Sequence, residues 1–210
     1  MSKPDALLYF EDETPAALRL AEAAGLAPYR VESHRFPDGE IQLTLPAHLP
    51  ARVVLLRSLH QPGDKLTELL LAAPTARQLG AQHISLVAPY LAYMRQDMAF
   101  APGQAVSQRI VGAWLATLFD AVVSVDPHLH RATTLAEAVP ARRAITLSAA
   151  PLLGEWIAQH RPSAFLLGPD NESAQWVSQA AAAHSLHHAV CSKVRRGDHA
   201  VAITLHTCDL

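Results

Sequence analysis

One stretch of the sequence decides the predicted fold: Phe119-Asp120-Ala121-Val122-Val123-Ser124-Val125-Asp126-Pro127-His128-Leu129-His130-Arg131. Its first half, from Ala121 to Val125, is mostly apolar and β-branched, and it has the length and composition of a buried strand. Ionisable side chains follow directly after it. Because buried strands of α/β sheets deliver their functional residues at their carboxyl ends, this stretch predicts an α/β fold with chemistry just after Val125.

Asp126, His128 and His130 stand at alternate positions after that strand. If the backbone stays extended, period-two geometry puts the three side chains on one side of the chain. A carboxylate and an imidazole can there share a divalent cation and its waters. The alternative is a set of solvent-facing loop residues, with Pro127 suited to a strand end because it has no N–H to give to a ladder.

Strands and helices alternate along the whole chain on either side of this stretch. The further predicted strands cover residues 6–10, 29–33, 41–45, 52–56, 83–87, 144–147, 164–167, 187–191 and 199–205. The predicted helices are capped by Thr14, opened by Asp64, placed at 105–119, begun at Ser148 and placed after Ser173. This alternation predicts mostly parallel sheets covered on both faces. Because the pattern runs twice, we expect two similar lobes, residues 1–145 and residues 146–210.

The predicted helix at 105–119 carries apolar residues at helical spacing, which we interpret as its inward-facing core stripe, and the predicted helix that begins at Ser148 also holds apolar residues. They are Ile110, Val111, Trp114, Leu115 and Leu118 in the first helix, and Leu152, Leu153, Trp156 and Ile157 in the second.

Composition narrows the classes of function. The 210 residues carry a formal net charge of −2, so bulk charge favours neither nucleic acid nor an anionic membrane as a partner. No apolar run approaches the length of a membrane span, and we expect a soluble, cytoplasmic protein. Cys191 and Cys208 match no metal-ligand spacing and form no disulfide framework.

Four further connections carry charged side chains, two of them in the first half of the chain. Asp38-Gly39-Glu40 favours a plain hairpin turn, although two carboxylates beside a glycine could instead bind ribose hydroxyls or a base amine. Arg95, next to Gln96 and Asp97 after a buried strand, suits a phosphate-bearing ligand.

In the second half, the turn after the strand at 164–167 opens a helix, which is a typical anion-binding geometry. A plain helix cap by Asp170 or Asn171 explains the same composition. The basic stretch 192–198 is predicted to join the last two strands as a turn, and such basic turns are usually only solvated.

Taken together, these pieces resemble the phosphoribosyl pyrophosphate synthetases, also called ribose-phosphate diphosphokinases. The ordered set spans nearly all of the chain, at about the family's spacing. The matching motifs are Phe36-Pro37-Asp38-Gly39-Glu40, Pro89-Tyr90 with Tyr93 and Arg95-Gln96-Asp97, Pro102-Gly103 with Ser107, Val125-Asp126-Pro127-His128, Pro169-Asp170 and Lys193-Val194-Arg195.

The resemblance implies two phosphoribosyltransferase-type, Rossmann-like lobes that assemble into homo-oligomers. It implies transfer of the diphosphoryl group of ATP to the anomeric hydroxyl of ribose 5-phosphate, with Mg²⁺ as cofactor, giving AMP and phosphoribosyl pyrophosphate. By position, the resemblance places Asp38, Gly39 and Glu40 at the adenine end of ATP, partly across a subunit boundary, and it places Arg95, Gln96 and Asp97 at the nucleotide. It places Asp126 and His128 at magnesium and Asp170 at a second cation. It places Lys193 and Arg195, as catalytic residues, in a mobile basic loop.

The chain departs from the family pattern in three places. Asn171-Glu172-Ser173 stands where the family has small residues and glycine, and Pro127 replaces an aliphatic residue. The family's ribose-phosphate loop, an acidic pair with a Thr-Gly-rich turn, belongs beyond Leu205, so we expect a second lobe that is incomplete before this loop. A catalytically inactive homologue that regulates or scaffolds a complete synthetase is the alternative function, and a phosphoribosyltransferase acting on a base is a third.

Overall fold

The structure, a computed structural model, describes residues 6–195 and 201–204, and it confirms the α/β class. Two short 3-10 turns, Glu11–Glu13 and Asn171–Ser173, accompany the regular elements. The strands are β1 (Ala6–Tyr9), β2 (Ala27–Arg30), β3 (Glu32–Arg35), β4 (Ile41–Thr44), β5 (Arg52–Leu56), β6 (His83–Ala88), β7 (Ala121–Val125), β8 (Arg143–Leu147), β9 (Leu166–Gly168), β10 (His188–Val190), β11 (Ser192–Arg195) and β12 (Val201–Thr204); the helices are α1 (Thr14–Ala24), α2 (Gly63–Gln78), α3 (Ser107–Leu118), α4 (Leu135–Ala138), α5 (Ala150–His160) and α6 (Ala174–Ala182).

The chain divides into two compact units, Met1–Leu147 and Ser148–Leu210. The first unit is built on a parallel sheet in the order β2-β1-β5-β6-β7-β8. The chain starts at β1, moves outward to β2, and then returns to the other side of β1 at β5. The order therefore reverses between β1 and β5, and every strand of the sheet ends at the same edge.

Both faces of this sheet are covered, as the alternation of strands and helices predicted. Leu7 and Tyr9 of β1 pack with Ala17 and Ala21 of α1 on one face. The intervening residues of β1 face a larger core on the other side, which includes buried residues of α2 and α3 such as Leu69 and Leu115. Period-two alternation along a short strand thus fills two separate cores.

The second unit contains a parallel pair, β9 with β10, and an antiparallel pair, β11 with β12. Its helices α5 and α6 pack closely at Gly154, where an added Cβ would overlap the carbonyl oxygen of Ala180. The basic stretch predicted as a turn is a strand over Ser192–Arg195, whereas residues 196–200 lie outside the described part.

The strand predicted at 29–33 is wrong in one respect, because the structure divides it at Val31. Val31 is 2 % exposed and its N–H donates to the carbonyl of Tyr9 at 2.8 Å. β2, before it, extends the parallel sheet, whereas β3, after it, pairs antiparallel with β4. A single extended run therefore serves two sheets, and its composition alone does not reveal the division.

Part of the inward stripe predicted for α3 is also wrong, because Leu115 is fully buried but Ile110 is 60 % exposed. In α5, the side chain of Trp156 is 56 % exposed. Leu152 and Leu153 are exposed as well. Helical spacing identifies an apolar face, but it does not say whether another element covers that face. Among the described residues, no helix combines the length and the apolarity that crossing a lipid bilayer requires.

Gly112 is the point at which α3 approaches α4, and we predict that Gly112→Ala is strongly destabilising. A Cβ there would overlap the backbone carbonyl of Ala138, which cannot move aside as a flexible side chain can. Overpacking of this kind costs about 3 kcal/mol of unfolding free energy. The matched control is Gly63→Ala, because a Cβ at Gly63 meets no atom within 4 Å. Urea unfolding of both variants checks this, and equal losses would contradict it.

Asp120 lies just before β7, at the edge of the sheet where the strands begin, opposite the edge where they end. Its Oδ2 accepts a hydrogen bond from the Ile84 N–H at 2.9 Å and pairs with Arg77 Nη2 at 2.9 Å. Burial by itself raises the pKa of Asp120, but these hydrogen bonds and the charge of Arg77 outweigh it and hold the pKa below its ordinary value.

We predict that Asp120→Asn lowers the unfolding free energy by about 2 kcal/mol at neutral pH, as expected for a hydrogen bond to a charged group. A carboxylate whose pKa is lowered on folding stabilises the protein at pH values above the pKa that it has in the unfolded chain, about 3.9. That contribution is lost as the pH falls through the folded pKa. The difference between wild type and variant should therefore shrink in acid. Urea unfolding over a pH series measures it, and a difference that is constant with pH would count against the argument.

Candidate functional site

The loops at the carboxyl edge of the first unit's sheet are joined to one another by backbone hydrogen bonds. The Arg57 N–H, after β5, donates to the Val87 carbonyl at 2.9 Å, and the Leu59 N–H donates to that of Tyr90 at 2.8 Å. The Asp126 N–H, after β7, donates to the Leu147 carbonyl at 2.9 Å. These loops form a continuous surface along one edge of the sheet, which is where ligands of such folds bind.

The same loops contain backbone strain. Within the described part of the first unit, the non-glycine residues with positive φ are Gln61 at 51°, Tyr93 at 62° and Asp126 at 43°. They lie after β5, β6 and β7 respectively, one in each loop. Such conformations are unfavourable for residues with a Cβ, and they concentrate at functional sites. The strain therefore supports the carboxyl edge as the candidate functional site.

A cleft of about 290 Å³ lies between the loop after β6 and the loop after β7. It brings together Arg95, Asp126 and His128, three residues that the sequence predicted for one site. Its lining residues are Tyr90, Leu91, Met94, Arg95, Val125, Asp126, Pro127 and His128.

The extended geometry expected for Asp126, His128 and His130 is wrong, because Asp126 has a positive φ. The turn at Asp126 changes which side chains share the cleft. His128 lines the cleft and His130 is not part of the lining, although the two rings stand edge to face with centroids 6.3 Å apart. Of the three side chains predicted to share one side, Asp126 and His128 line the cleft, and their binding of a cation stays a prediction.

The chemistry of this cleft suits an anion that carries a hard cation. Arg95 offers a planar guanidinium fork that matches phosphate oxygens. In the described part of the chain, no group of three or more His, Cys, Asp or Glu side chains could hold a metal ion. Magnesium does not need such a group, because it keeps several waters and binds through one or two carboxylates together with phosphate oxygens. Asp126 therefore fits magnesium that arrives with a polyphosphate, and His128 shares the cleft with it.

Asp97 occupies a different position from its neighbour Arg95. Its side chain is 2 % exposed, and its Oδ1 lies 2.7 Å from Nη1 of Arg131. Its other oxygen, Oδ2, is buried without a hydrogen-bond partner among the described residues. The structure thus gives the Asp97 carboxylate a protein partner, and Asp97 is not part of the cleft lining. Sequence analysis did not single out Arg131, which stands at the end of the quoted stretch.

The segment Asp38-Gly39-Glu40 forms the turn of the β3–β4 hairpin, so the turn interpretation is confirmed. Gly39 has φ 95°, its N–H donates to the Phe36 carbonyl, and its own carbonyl accepts from Arg35 Nη1 at 3.0 Å. Asp38 Oδ1 accepts from the Glu40 N–H at 3.1 Å. The turn is exposed and well braced. The ligand-binding role of its carboxylates stays a prediction.

The second unit holds the remaining predicted site residues. Asp170 forms a capping box with Ser173, in which Asp170 Oδ1 accepts from the Ser173 N–H at 3.2 Å. The plain cap is therefore present, and cation binding by Asp170 stays a prediction. Lys193 and Arg195 lie in β11, where the structure describes their backbone and pairs them with Ile203 and Val201. The predicted roles of their side chains lie outside the described part.

Sequence analysis missed a buried charge cluster around Arg57, at the point between β1 and β5 where the strand order reverses. Arg57 Nη1 lies 2.5 Å from Asp12, its Nη2 lies 2.5 Å from Glu68, and Phe10 stacks below the guanidinium. The signal was the acidic run after β1 and an arginine directly after the apolar β5. A cavity of about 550 Å³ adjoins the cluster and is lined by Phe10, Glu11, Asp12, Arg30, Val31, Glu32, Ser33, Arg57 and Glu68.

Comparison with known proteins gives a consistent result. Residues 6–118 match the family described as the N-terminal domain of ribose phosphate pyrophosphokinase. A ribose-phosphate pyrophosphokinase of Methanopyrus kandleri is 40% identical over 158 residues, covering 72% of this chain and 52% of that protein. One of Methanosarcina acetivorans is 32% identical over 196 residues, covering 92% of this chain and 66% of that protein. The chain thus spans between about half and two thirds of the length of these relatives.

The fold is shared with a solved structure, that of phosphoribosylpyrophosphate synthetase from Mycobacterium smegmatis. The TM-score is 0.80 at 21% sequence identity, covering 96% of this chain and 67% of that chain. This likeness confirms the predicted phosphoribosyltransferase-type fold.

Proposed function

Because the chain belongs to the ribose-phosphate pyrophosphokinase family, we propose that its carboxyl-edge cleft binds ATP with Mg²⁺ for transfer of the diphosphoryl group to ribose 5-phosphate. The products would be AMP and phosphoribosyl pyrophosphate. The observation that carries the proposal is that Arg95, Asp126 and His128, from two separate loops, line one cleft.

The residues of the cleft divide the work of binding a polyphosphate. Arg95 pairs with phosphate oxygens, and Asp126 with His128 holds the cation side of the nucleotide. When bound, Mg²⁺ neutralises negative charge on the transferred group. Transfer of a phosphoryl group needs positioning and charge neutralisation more than covalent participation by the protein. The protein's contribution is therefore to fix these side chains before the substrate arrives.

The turn Asp38–Glu40 contributes to the nucleotide from outside the cleft. We assign it to the adenine end of ATP, partly across a subunit boundary in a homo-oligomer. The support is that the turn is exposed and braced from within, since Arg35 Nη2 is held by Asp64 at 2.6 Å. A rigid, exposed turn loses little conformational freedom when it meets a ligand.

The second unit supplies the remaining proposed roles. We assign Asp170 to a second cation beside the ribose, and we assign Lys193 and Arg195 to charge stabilisation of the transferred group. Two positive side chains that act mainly in the transition state raise the rate more than they raise substrate affinity. These assignments rest on the positions of the residues in the family's motifs.

Calorimetric titration with ATP tests the proposal. With Mg²⁺ present the chain should bind ATP at least ~10-fold more tightly than in EDTA, which corresponds to about 1.4 kcal/mol. With the family's ribose-phosphate loop joined to the chain, addition of ribose 5-phosphate should then release AMP. Tight Mg²⁺-dependent binding without AMP release by that extended protein would favour the alternative, a non-catalytic homologue that regulates a complete synthetase. A folded chain that does not bind ATP would contradict the proposal.

A further inference from the structure

The loop that carries Arg95 is fastened from two sides by buried polar groups. On one side Gln108, which is 5 % exposed, brackets Arg95 at the start of α3. Its N–H donates to the Gln96 carbonyl at 3.1 Å, and its Nε2 donates to the Met94 carbonyl at 3.1 Å. The carbonyl groups of the residues before and after Arg95 are thus held by one residue, Gln108.

On the other side Asp97 fastens this loop to the loop after β7. The Asp97 side chain is 2 % exposed, and its Oδ1 lies 2.7 Å from Arg131 Nη1. Arg131 stands in the same loop as His128, shortly after it in the sequence. Another ion pair of the β7 region, Arg77–Asp120, lies at the edge of the sheet where the strands begin. The Asp97–Arg131 pair is therefore placed to link the two walls of the cleft.

The loop after β7 is anchored at both of its ends as well. At the beginning, the Asp126 N–H donates to the Leu147 carbonyl at 2.9 Å. At the end, Glu137 accepts hydrogen bonds from the hydroxyl and the N–H of Thr133, and these bonds lower the pKa of Glu137. Between these anchors, Arg131 contacts the Arg95 loop through Asp97.

We infer that Asp97 is a positioning residue that acts through Arg131 to set the distance between Arg95 on one wall and Asp126 with His128 on the other. This inference rests on the proposed function and gives Asp97 a role other than direct contact with the nucleotide. The second carboxylate oxygen of Asp97 is buried and has no hydrogen-bond partner among the described residues, and a buried carboxylate oxygen of this kind calls for an explanation. Removal of a residue that orients a binding side chain typically lowers metal affinity or activity by roughly 10- to 100-fold.

The first test is a double-mutant cycle on ATP binding with Mg²⁺. Asp97→Asn and Arg131→Gln should each weaken binding about 10-fold, and the double variant should be no weaker than either single variant, because both remove one interaction. Asp120→Asn is the matched control, since it breaks an ion pair at the opposite edge and should lower stability without changing ATP affinity. Wild-type affinity in both single variants, or losses that add in the double variant, would overturn the inference.

The second test does not depend on ATP and separates the inference from the proposed function. Hydrogen–deuterium exchange of the ligand-free chain should increase in residues 89–97 and also in residues 126–131 when Asp97 is replaced by asparagine. The Asp120→Asn control should leave both segments unchanged. If the wild-type chain does not bind ATP, the proposed function fails, and the exchange result still decides whether Asp97 couples the two loops. A response in one segment alone, or in neither, would refute the coupling.

Discussion

The variant Arg57→Met is expected to lose about 3–5 kcal/mol of unfolding free energy, because it leaves buried carboxylates without their counter-ion. The Arg57 side chain is 5 % exposed, and its partners Glu13 and Glu68 are 9 % and 11 % exposed. Methionine fills a similar volume, so the loss measures charge and hydrogen bonding more than packing. Urea unfolding at neutral pH gives the number.

The pH dependence gives this prediction a second signature. Burial raises the pKa of Glu68, and Arg57 works against that increase. Removing Arg57 should therefore raise the pKa of Glu68 further. A carboxyl whose pKa is raised on folding binds its proton more tightly in the folded state, so stability falls as the pH rises from the unfolded towards the folded pKa. Arg57→Met should accordingly be less destabilising in mild acid than at alkaline pH.

Two comparisons make the result specific to the cluster. Arg77→Met removes a more exposed cation, 37 % exposed, and should cost only about 1 kcal/mol. Adding Glu68→Leu to Arg57→Met should recover part of the loss, since it removes an unpaired buried charge. A loss for Arg57→Met no greater than that of Arg77→Met would show that the cluster contributes little to stability.

The second large effect is expected for ligand binding. Asp126→Asn should weaken Mg²⁺-dependent ATP binding by at least about 10-fold, because it removes a negative charge beside the cation. Asparagine tolerates the left-handed backbone at this position, where φ is 43°, so the fold should be retained. The affinity measured in EDTA should change little, and the benefit of adding Mg²⁺ should largely disappear.

Two histidines provide an internal control for this prediction. His128 lines the cleft and His130 is not part of the lining, although both follow the same strand. His128→Asn should weaken binding in the presence of Mg²⁺, whereas His130→Asn should leave it near the wild-type value. Equal effects at the two positions would mean that the cation lies elsewhere.

The regular part of the fold was predictable because it depends on local composition. The apolar run of β7 was predicted at its observed bounds, Ala121–Val125, and so was β5 at Arg52–Leu56. Gly25 follows α1 with φ 64°, a left-handed conformation that makes glycine common just after a helix. The four-residue helix α4 was missed, since a single turn has no periodicity to detect.

The site was predictable in its residue types but not in its geometry. The motifs pointed to Arg95, Asp126 and His128, and the structure places these three in one cleft. Asp126 has a positive φ, and its N–H donates to the carbonyl of Leu147, far along the chain. The buried carboxylate of Asp97 likewise pairs with Arg131, from another loop. Interactions between distant parts of the chain decide such details, and no local pattern contains them.

The central claim is that the cation binds with its nucleotide in the cleft between the loops after β6 and β7. The most direct measurement is NMR of the ¹⁵N-labelled chain with ATP and Mn²⁺ in place of Mg²⁺, since the paramagnetic ion broadens nearby amide signals. The account predicts broadening in residues 89–97 and 125–128, with the signals of residues 11–13 and 32–33 unchanged. Broadening centred on the acidic cavity beside Asp12 and Glu32, with sharp signals from Arg95 and His128, would contradict it.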